Sequence, residues 1–339
     1  MNDSAPSAPA ARHTGRNVLI WTIKIVVSAG LLYWLFRNVD AAEVWRLVRT
    51  AHAAWLLVAL ALYGAIIVVS AWRWGLLLGA QGIEMPFSAL VNSFLVATFF
   101  NNFLPSNIGG DVVRIRDSAR TAGSKTLATT VVLLDRGIGL LGLVFVAACG
   151  ATVAARRSEA LGPLGPSLLW AVFGGGLTAT LIAVMAPRSL GFVLRPLEAI
   201  HQEWVGERIE RLMSALCRFR AAPRALVNCF LGAIAVQTLL VAFYAAIARG
   251  LDIPIPFAHL SILIPLSFIV LMVPVSVNGF GIREKTFADY FSALHLPVTA
   301  ALALSLTGAA LIMIFSLSGA VAYVTRSARS GPAEVESSE

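Results

Sequence analysis

Asn101-Asn102-Phe103-Leu104-Pro105-Ser106-Asn107-Ile108-Gly109-Gly110-Asp111 interrupts an apolar run that starts at Ser88, and this interruption decides how the chain can fold. Proline removes a backbone donor and glycine loosens a helix, so a helix over Ser88–Leu104 is predicted to stop before it has crossed a membrane. A second interruption, Pro274-Val275-Ser276-Val277-Asn278-Gly279-Phe280-Gly281, ends the run Phe257–Val275, which also holds Pro265. Pro105, Gly110 and Arg114 share the spacing Pro-x4-Gly-x3-Arg with Pro274, Gly279 and Arg283, at an offset of 169 residues. The same offset lays Ala53–Ala71 on the start of Ala225–Ala248 and Thr126–Cys149 on the last run, Val298–Val324. Agreement of the breaks with the neighbouring runs predicts an internal repeat.

Working outward, the chain holds eight such runs, the remaining two being Val18–Phe36 and Ser167–Ala186. Of 339 residues 58% are hydrophobic and 13% charged, about half the charge of a soluble domain. Runs of this length match the roughly 20 apolar residues that a membrane-crossing helix needs. The fold class predicted is therefore an all-α integral membrane protein with six full spans and two re-entrant helical hairpins. Residues 1–17 read as a disordered tail, 18–325 as the membrane domain with halves at about 18–150 and 167–325, and 326–339 as a second disordered tail. Arg12 and Arg16 before Val18–Phe36 suggest an uncleaved signal anchor. The stretch from Leu197 to Arg220, within about 195–220, places Val205, Ile209, Leu212 and Leu216 on one face and predicts an amphipathic helix on the membrane surface.

With two hairpins that return to their own side, sixteen Arg and Lys gather on one side of the membrane and eight on the other. The positive-inside rule then puts both termini in the cytoplasm. Eight complete spans give the same split with both termini outside; the Pro/Gly breaks favour the hairpins. Three full spans per half is an odd number, so the halves are predicted to be inverted, with the hairpins entering from opposite faces and meeting near the midplane. Inverted repeats with broken helices are a common transporter architecture.

Charge at membrane depth is costly. Asp135-Arg136 lies inside Thr126–Cys149 and reads either as an ion pair within the bundle or as a headgroup site, Arg136 facing the anion and Asp135 orienting it. Arg73, between Trp72 and Trp74, reads as the interfacial close of the second span or as a guanidinium fork for phosphate. Asn107 to Arg116 combines Gly109-Gly110, Asp111 and two arginines. It reads as an anion-binding nest or as a capped turn with solvated arginines. Arg283 and Glu284 read the same way at the second break, and Lys24 is expected to snorkel. Cys149, Cys217 and Cys229 have no paired spacing, and the five histidines form no metal pattern. No nucleophile–base set and no P-loop is present, so neither cofactor nor metal is expected. The net charge of +8 lies in the loops without interleaved aromatics; this disfavours nucleic acid and favours anionic lipid headgroups.

These pieces together resemble the family named after the transmembrane region of lysylphosphatidylglycerol synthase, also called flippase-like. The matching residues are Arg73, Asn102-x2-Pro105-x3-Gly109-Gly110-Asp111-x2-Arg114, Asp135-Arg136-x2-Gly139-Leu140 and Pro274-x-Ser276-x2-Gly279-x-Gly281-x-Arg283-Glu284. The resemblance covers nearly the whole chain between the tails. It implies a membrane domain like that of the multiple-peptide-resistance proteins, which moves aminoacylated phosphatidylglycerol between leaflets. A relative associated with hopanoid biosynthesis is of this kind too, so the lipid need not be a phospholipid. The soluble aminoacyl-transferring domain of the full synthases is not seen in this sequence, and no enzyme activity is expected. The leading expectation is a lipid translocator of the inner membrane, with Arg73, Arg114, Arg136 and Arg283 receiving the head and the two sets of Pro and Gly shaping the breaks. The rivals are a membrane-embedded transferase with Asp111 or Asp135 as base, and a non-catalytic partner of lipid-synthesising enzymes.

Overall fold

The computed structural model describes residues 41–103, 109–156, 164–185, 213–271 and 280–329, and among them there is helix and no strand. The helices are α1 (Ala41–Arg49), α2 (Ala53–Gly79), α3 (Phe87–Phe103), α4 (Gly109–Ala122), α5 (Lys125–Arg156), α6 (Leu164–Met185), α7 (213–221), α8 (Pro223–Gly250), α9 (Phe257–Leu271), α10 (Ile282–Ala293) and α11 (Val298–Arg329). Five of them, α2, α5, α6, α8 and α11, are long and apolar enough to cross a bilayer. The sixth expected span, Val18–Phe36, both expected tails apart from the part of the second that lies in α11, and most of the expected surface helix lie outside the described residues. Only the end of that helix is seen, as α7, and Leu216 and Phe219 on it are buried in the bundle.

An apolar helix suits this setting because it satisfies its own backbone within the segment. Its hydroxyls do the same: Thr98, Thr130, Thr152 and Ser261 each donate to the carbonyl four residues earlier. At 27 and 32 residues, α2 and α5 are about 40 and 48 Å long. The 17 and 15 residues of α3 and α9 give only about 25 and 22 Å, short of the roughly 30 Å hydrocarbon core.

The repeat is visible in the order of elements. A long helix, a short apolar one, a short polar one and a second long one occur as α2–α5 and again as α8–α11. The corresponding helices α2 and α8 pack against each other in opposite directions. Gly232 near the start of α8 abuts Trp72 and Arg73 late in α2, while Gly250 at the end of α8 abuts Trp55 and accepts from the His52 N–H at 2.8 Å. These two corresponding helices therefore run antiparallel.

Within each half the short helices form an antiparallel pair. Ser93 on α3 donates to Asp117 on α4 at 2.7 Å, and Asn101 holds the Gly110 N–H at the far end. His259 on α9 meets Tyr290 on α10 at 3.0 Å. Each pair starts and finishes at one end of the bundle. The α3–α4 pair uses the end where α2 and α11 finish, since Arg326 reaches Asp117 and the carbonyl of Ala89. The α9–α10 pair uses the opposite end, where α8 finishes.

The halves are also interlocked: α3 packs on α11, and α9 packs on α5. Glycine makes both contacts possible. A Cβ at Gly150 of α5 would lie 2.6 Å from the Cβ of Ser261, and one at Gly319 of α11 would lie 2.0 Å from the Leu95 carbonyl oxygen. These two positions are themselves 169 residues apart. Close approach through small residues is how helices associate in lipid, where apolar burial alone gives no preference. One core gathers Trp74, Leu77, Leu78, Val131 and Phe219; the other gathers Phe243, Tyr244, Leu263, Phe287 and Phe291.

Candidate functional site: two arginine clusters at opposite ends of the bundle

The long helices run further than the apolar runs predict, and this moves the charged residues inward. Because α2 continues to Gly79, Arg73 does not close the span. It lies six residues inside the helix end, about 9 Å deep, and is buried, whereas Trp72 beside it is exposed.

Four helices' worth of side chains meet around Asp135. Its Oδ2 accepts from Arg114 of α4 at 2.7 Å, and its Oδ1 lies 2.9 Å from Arg73 Nε. The second approach is an ion pair without hydrogen-bonding alignment. Asp111, in the first turn of α4, pairs with Arg136 of α5 and stands 3.8 Å from Arg114. Asp111 is thus not a helix cap, since α4 already begins at Gly109. Aromatic faces complete the surroundings of Arg114, whose guanidinium carbon is 4.8 Å from the Trp74 ring centre on α2 and 4.3 Å from that of Phe94 on α3. Gly139 leaves room for the Arg73 guanidinium, which would lie 3.4 Å from a Cβ there.

Three guanidinium groups face two carboxylates in this cluster, a net charge of +1. Asp135 is 2% exposed and Arg136 is 39% exposed, so the surplus positive charge comes to the surface at Arg136. Asp135 lies ten residues from the start of α5, about 15 Å from that end of the bundle.

The second cluster is built on the equivalent arginine. Arg283 donates from Nη2 to Glu284 Oε1 at 2.7 Å and from Nε to Ser305 Oγ of α11 at 3.0 Å. Ser305 donates to the same Glu284 oxygen, and the other oxygen takes the Gly281 N–H at 2.7 Å. Gly281 has φ of 87°, a conformation that needs glycine. The net charge here is zero and Glu284 is fully buried. Ser305 stands seven residues from the start of α11, about 11 Å from the opposite end.

Of the residues expected to line one site, Arg73, Asp111, Arg114, Asp135 and Arg136 come together; Arg283 and Glu284 form a separate group toward the other end. Asn102 donates to Thr98 of its own helix at 3.0 Å. Its neighbour Asn101, which the sequence reading passed over, holds the hairpin, and Gly110 is required there because a Cβ would lie 2.4 Å from the Ala97 carbonyl oxygen. The Gly110 N–H is therefore spent within the hairpin, not presented to an anion. Gly109 opens α4. Pro105, Pro274 and Gly279 lie outside the described residues. Trp74, Phe94 and Ser305 were also missed; a tryptophan one residue from a buried arginine was the available signal. Among the described residues no group of three or more His, Cys, Asp or Glu is arranged to hold a metal ion.

A helical bundle with five long apolar helices and charge held at membrane depth defines a multi-pass membrane protein. The family model for the lysylphosphatidylglycerol synthase TM region matches residues 21–319, and the chain belongs to that family. No curated protein matches the chain.

Proposed function

We infer that the protein is a lipid translocator that moves an anionic or amphipathic lipid between leaflets of the bacterial inner membrane. The observation that carries this reading is the net-positive Arg73–Arg114–Arg136 cluster, held at membrane depth and half-open at Arg136. An arginine fork recognises phosphate in two-point fashion, and a charge retained at that depth is seldom idle. Membership of a family named for a lipid synthase supports a lipid as the cargo.

In this reading the α3–α4 and α9–α10 pairs are re-entrant hairpins from opposite membrane faces. The end holding α7, the α4–α5 turn and Arg326 is cytoplasmic by the positive-inside rule, as are both termini. The Arg73 cluster then receives a headgroup from the cytoplasmic leaflet. The protein acts as a carrier, not an enzyme, with membrane lipid as its partner and lipid-synthesising enzymes as its suppliers or consumers. The driving force is a gradient or consumption of the lipid downstream.

Arg136→Ala tests the site. Losing a charge-assisted contact worth about 1.5–3 kcal/mol predicts a fall in leaflet exchange of roughly tenfold or more. The readout is exchange of a fluorescent phosphatidylglycerol in proteoliposomes, per folded protein reconstituted. Unaltered exchange would remove Arg136 from the site.

A further inference from the structure

A cavity of about 460 Å³ opens between α5, α8 and α9, away from both arginine clusters. Its walls include Val146, Cys149 and Val153 of α5, Ile234 of α8, and Phe257 and Ser261 of α9. The lining is almost wholly apolar, and the Ser261 hydroxyl is turned to the carbonyl of Phe257 in its own helix at 2.9 Å. Thr238 of α8 is the other hydroxyl in the lining and no charged side chain is among it, so an anionic headgroup finds no countercharge here. Val153 and Phe257 at the rim are about half exposed, so the cavity opens outward between α5 and α9. Its volume falls in the range of small-molecule sites, about 300–1,000 Å³.

At the repeat offset a larger side chain stands where the cavity has Val146. Position 315 corresponds to Val146 at the repeat offset, and it is phenylalanine. The Phe315 ring packs edge-on to Tyr63 with centres 5.1 Å apart and lies 3.5 Å from a Cβ built on Gly64. Valine at 146 leaves the corresponding space empty. The arginine clusters follow the same division. The cluster around Asp135 of α5 carries surplus charge, while Glu284 of α10 neutralises Arg283 in the other cluster. One long helix thus contributes Asp135 to the charged cluster and Val146 to the apolar cavity, and its repeat partner has Leu304 and Phe315 at the matching positions.

On α5 the two sites share a face. Asp135, Gly142, Val146, Cys149 and Val153 recur at close to whole turns, and Val146 and Val153 stand about 16 and 27 Å along the axis from Asp135. Between them, α5 is pressed against α8: a Cβ at Gly142 would lie 2.8 Å from that of Ala233. The seam bars a direct passage, so a ligand enters the cavity from the bilayer at the α5–α9 rim.

We propose that this cavity binds one acyl chain of a membrane lipid, from the leaflet at the end where α5 finishes and α9 begins, and that Val146 keeps it open. The proposal rests on the lipid-translocator reading for its purpose and on the cavity alone for its geometry. A chain seated there places a lipid on the same face of α5 as the charged cluster, with the Gly142–Ala233 seam between them.

The test uses the full chain in vesicles of phosphatidylglycerol and phosphatidylethanolamine that contain a trace of phosphatidylglycerol bearing a diazirine on one acyl chain. After illumination, peptides covering 145–153 and 257–261 are expected to carry more label than α6, whose exposed Leu168, Leu181 and Ile182 report simple contact with lipid. Val146→Phe, which copies the protein's own Phe315, is expected to abolish that preference while labelling of α6 stays the same. Cys149→Phe, filling the cavity from the next turn, gives the same result if Val146→Phe fails to fold. Equal labelling of cavity and α6 in the wild-type protein, or preference that survives both fillings, overturns the proposal. Leaflet exchange read on the same vesicles keeps the two ideas apart. Exchange without preferential labelling rejects the acyl site and leaves the translocator; preferential labelling without exchange does the reverse.

Discussion

Asp135 holds two arginines from two other helices, and its removal leaves both buried without their partner. Asp135→Asn is therefore expected to cost about 3–5 kcal/mol, the range for breaking a buried ion pair from one side, seen as a lower melting temperature in detergent. Arg136 is more than a third exposed and Asp111 keeps Arg114 nearby, so loss of Arg136 is expected to cost less stability than that of Asp135 and to show mainly in exchange. The sequence announced the arginines and aspartates as costly groups at membrane depth, but not their pairing. Arg73 and Asp135 stand 62 residues apart, and spacing along a chain says nothing about which faces meet. The part played by Asn101 was hidden for a related reason: it is adjacent to Asn102, and only the phase of α3 against α4 decides which one reaches Gly110.

Helices were more legible than their ends. The described parts of the seven apolar runs between residues 53 and 324 form helices, because a long apolar run has no other way to satisfy its backbone in lipid. Their lengths were underestimated wherever a polar residue was taken for a boundary. Arg73 was placed at the end of α2, and α5 continues past Cys149 to Arg156. At the other end of the chain α11 extends to Arg329, beyond the expected domain limit of 325. What sequence could not supply was the interlocking of α3 with α11 and α9 with α5, which depends on single glycines. Gly319→Ala is expected to push α3 off α11 and cost about 1–3 kcal/mol, as overpacking does. Gly174→Ala in α6, where nothing lies within 4 Å of the added Cβ, serves as the neutral control. Thermal unfolding of both variants in the same detergent separates a packing effect from a general penalty on glycine replacement.

At the scale of the molecule, α2 packs antiparallel on α8, the arrangement that inverted halves require. The clusters do not meet at the centre. Each lies about 9–15 Å from its own end of the bundle, so a headgroup bound at one is remote from the other. The halves differ in chemistry as well: α5 carries Asp135 and Val146 where α11 carries Leu304 and Phe315. The membrane topology is the claim on which the translocator reading stands, and two turns report on it directly. The α4–α5 turn holds Ser124 and the α10–α11 turn holds His295. With Cys149, Cys217 and Cys229 replaced, Ser124→Cys and His295→Cys are each reacted with a membrane-impermeant maleimide in intact cells and in inverted vesicles. Labelling of Cys at 295 only from outside and at 124 only from the cytoplasmic side is the result expected; reaction of both from the same compartment would contradict hairpins entering from opposite faces.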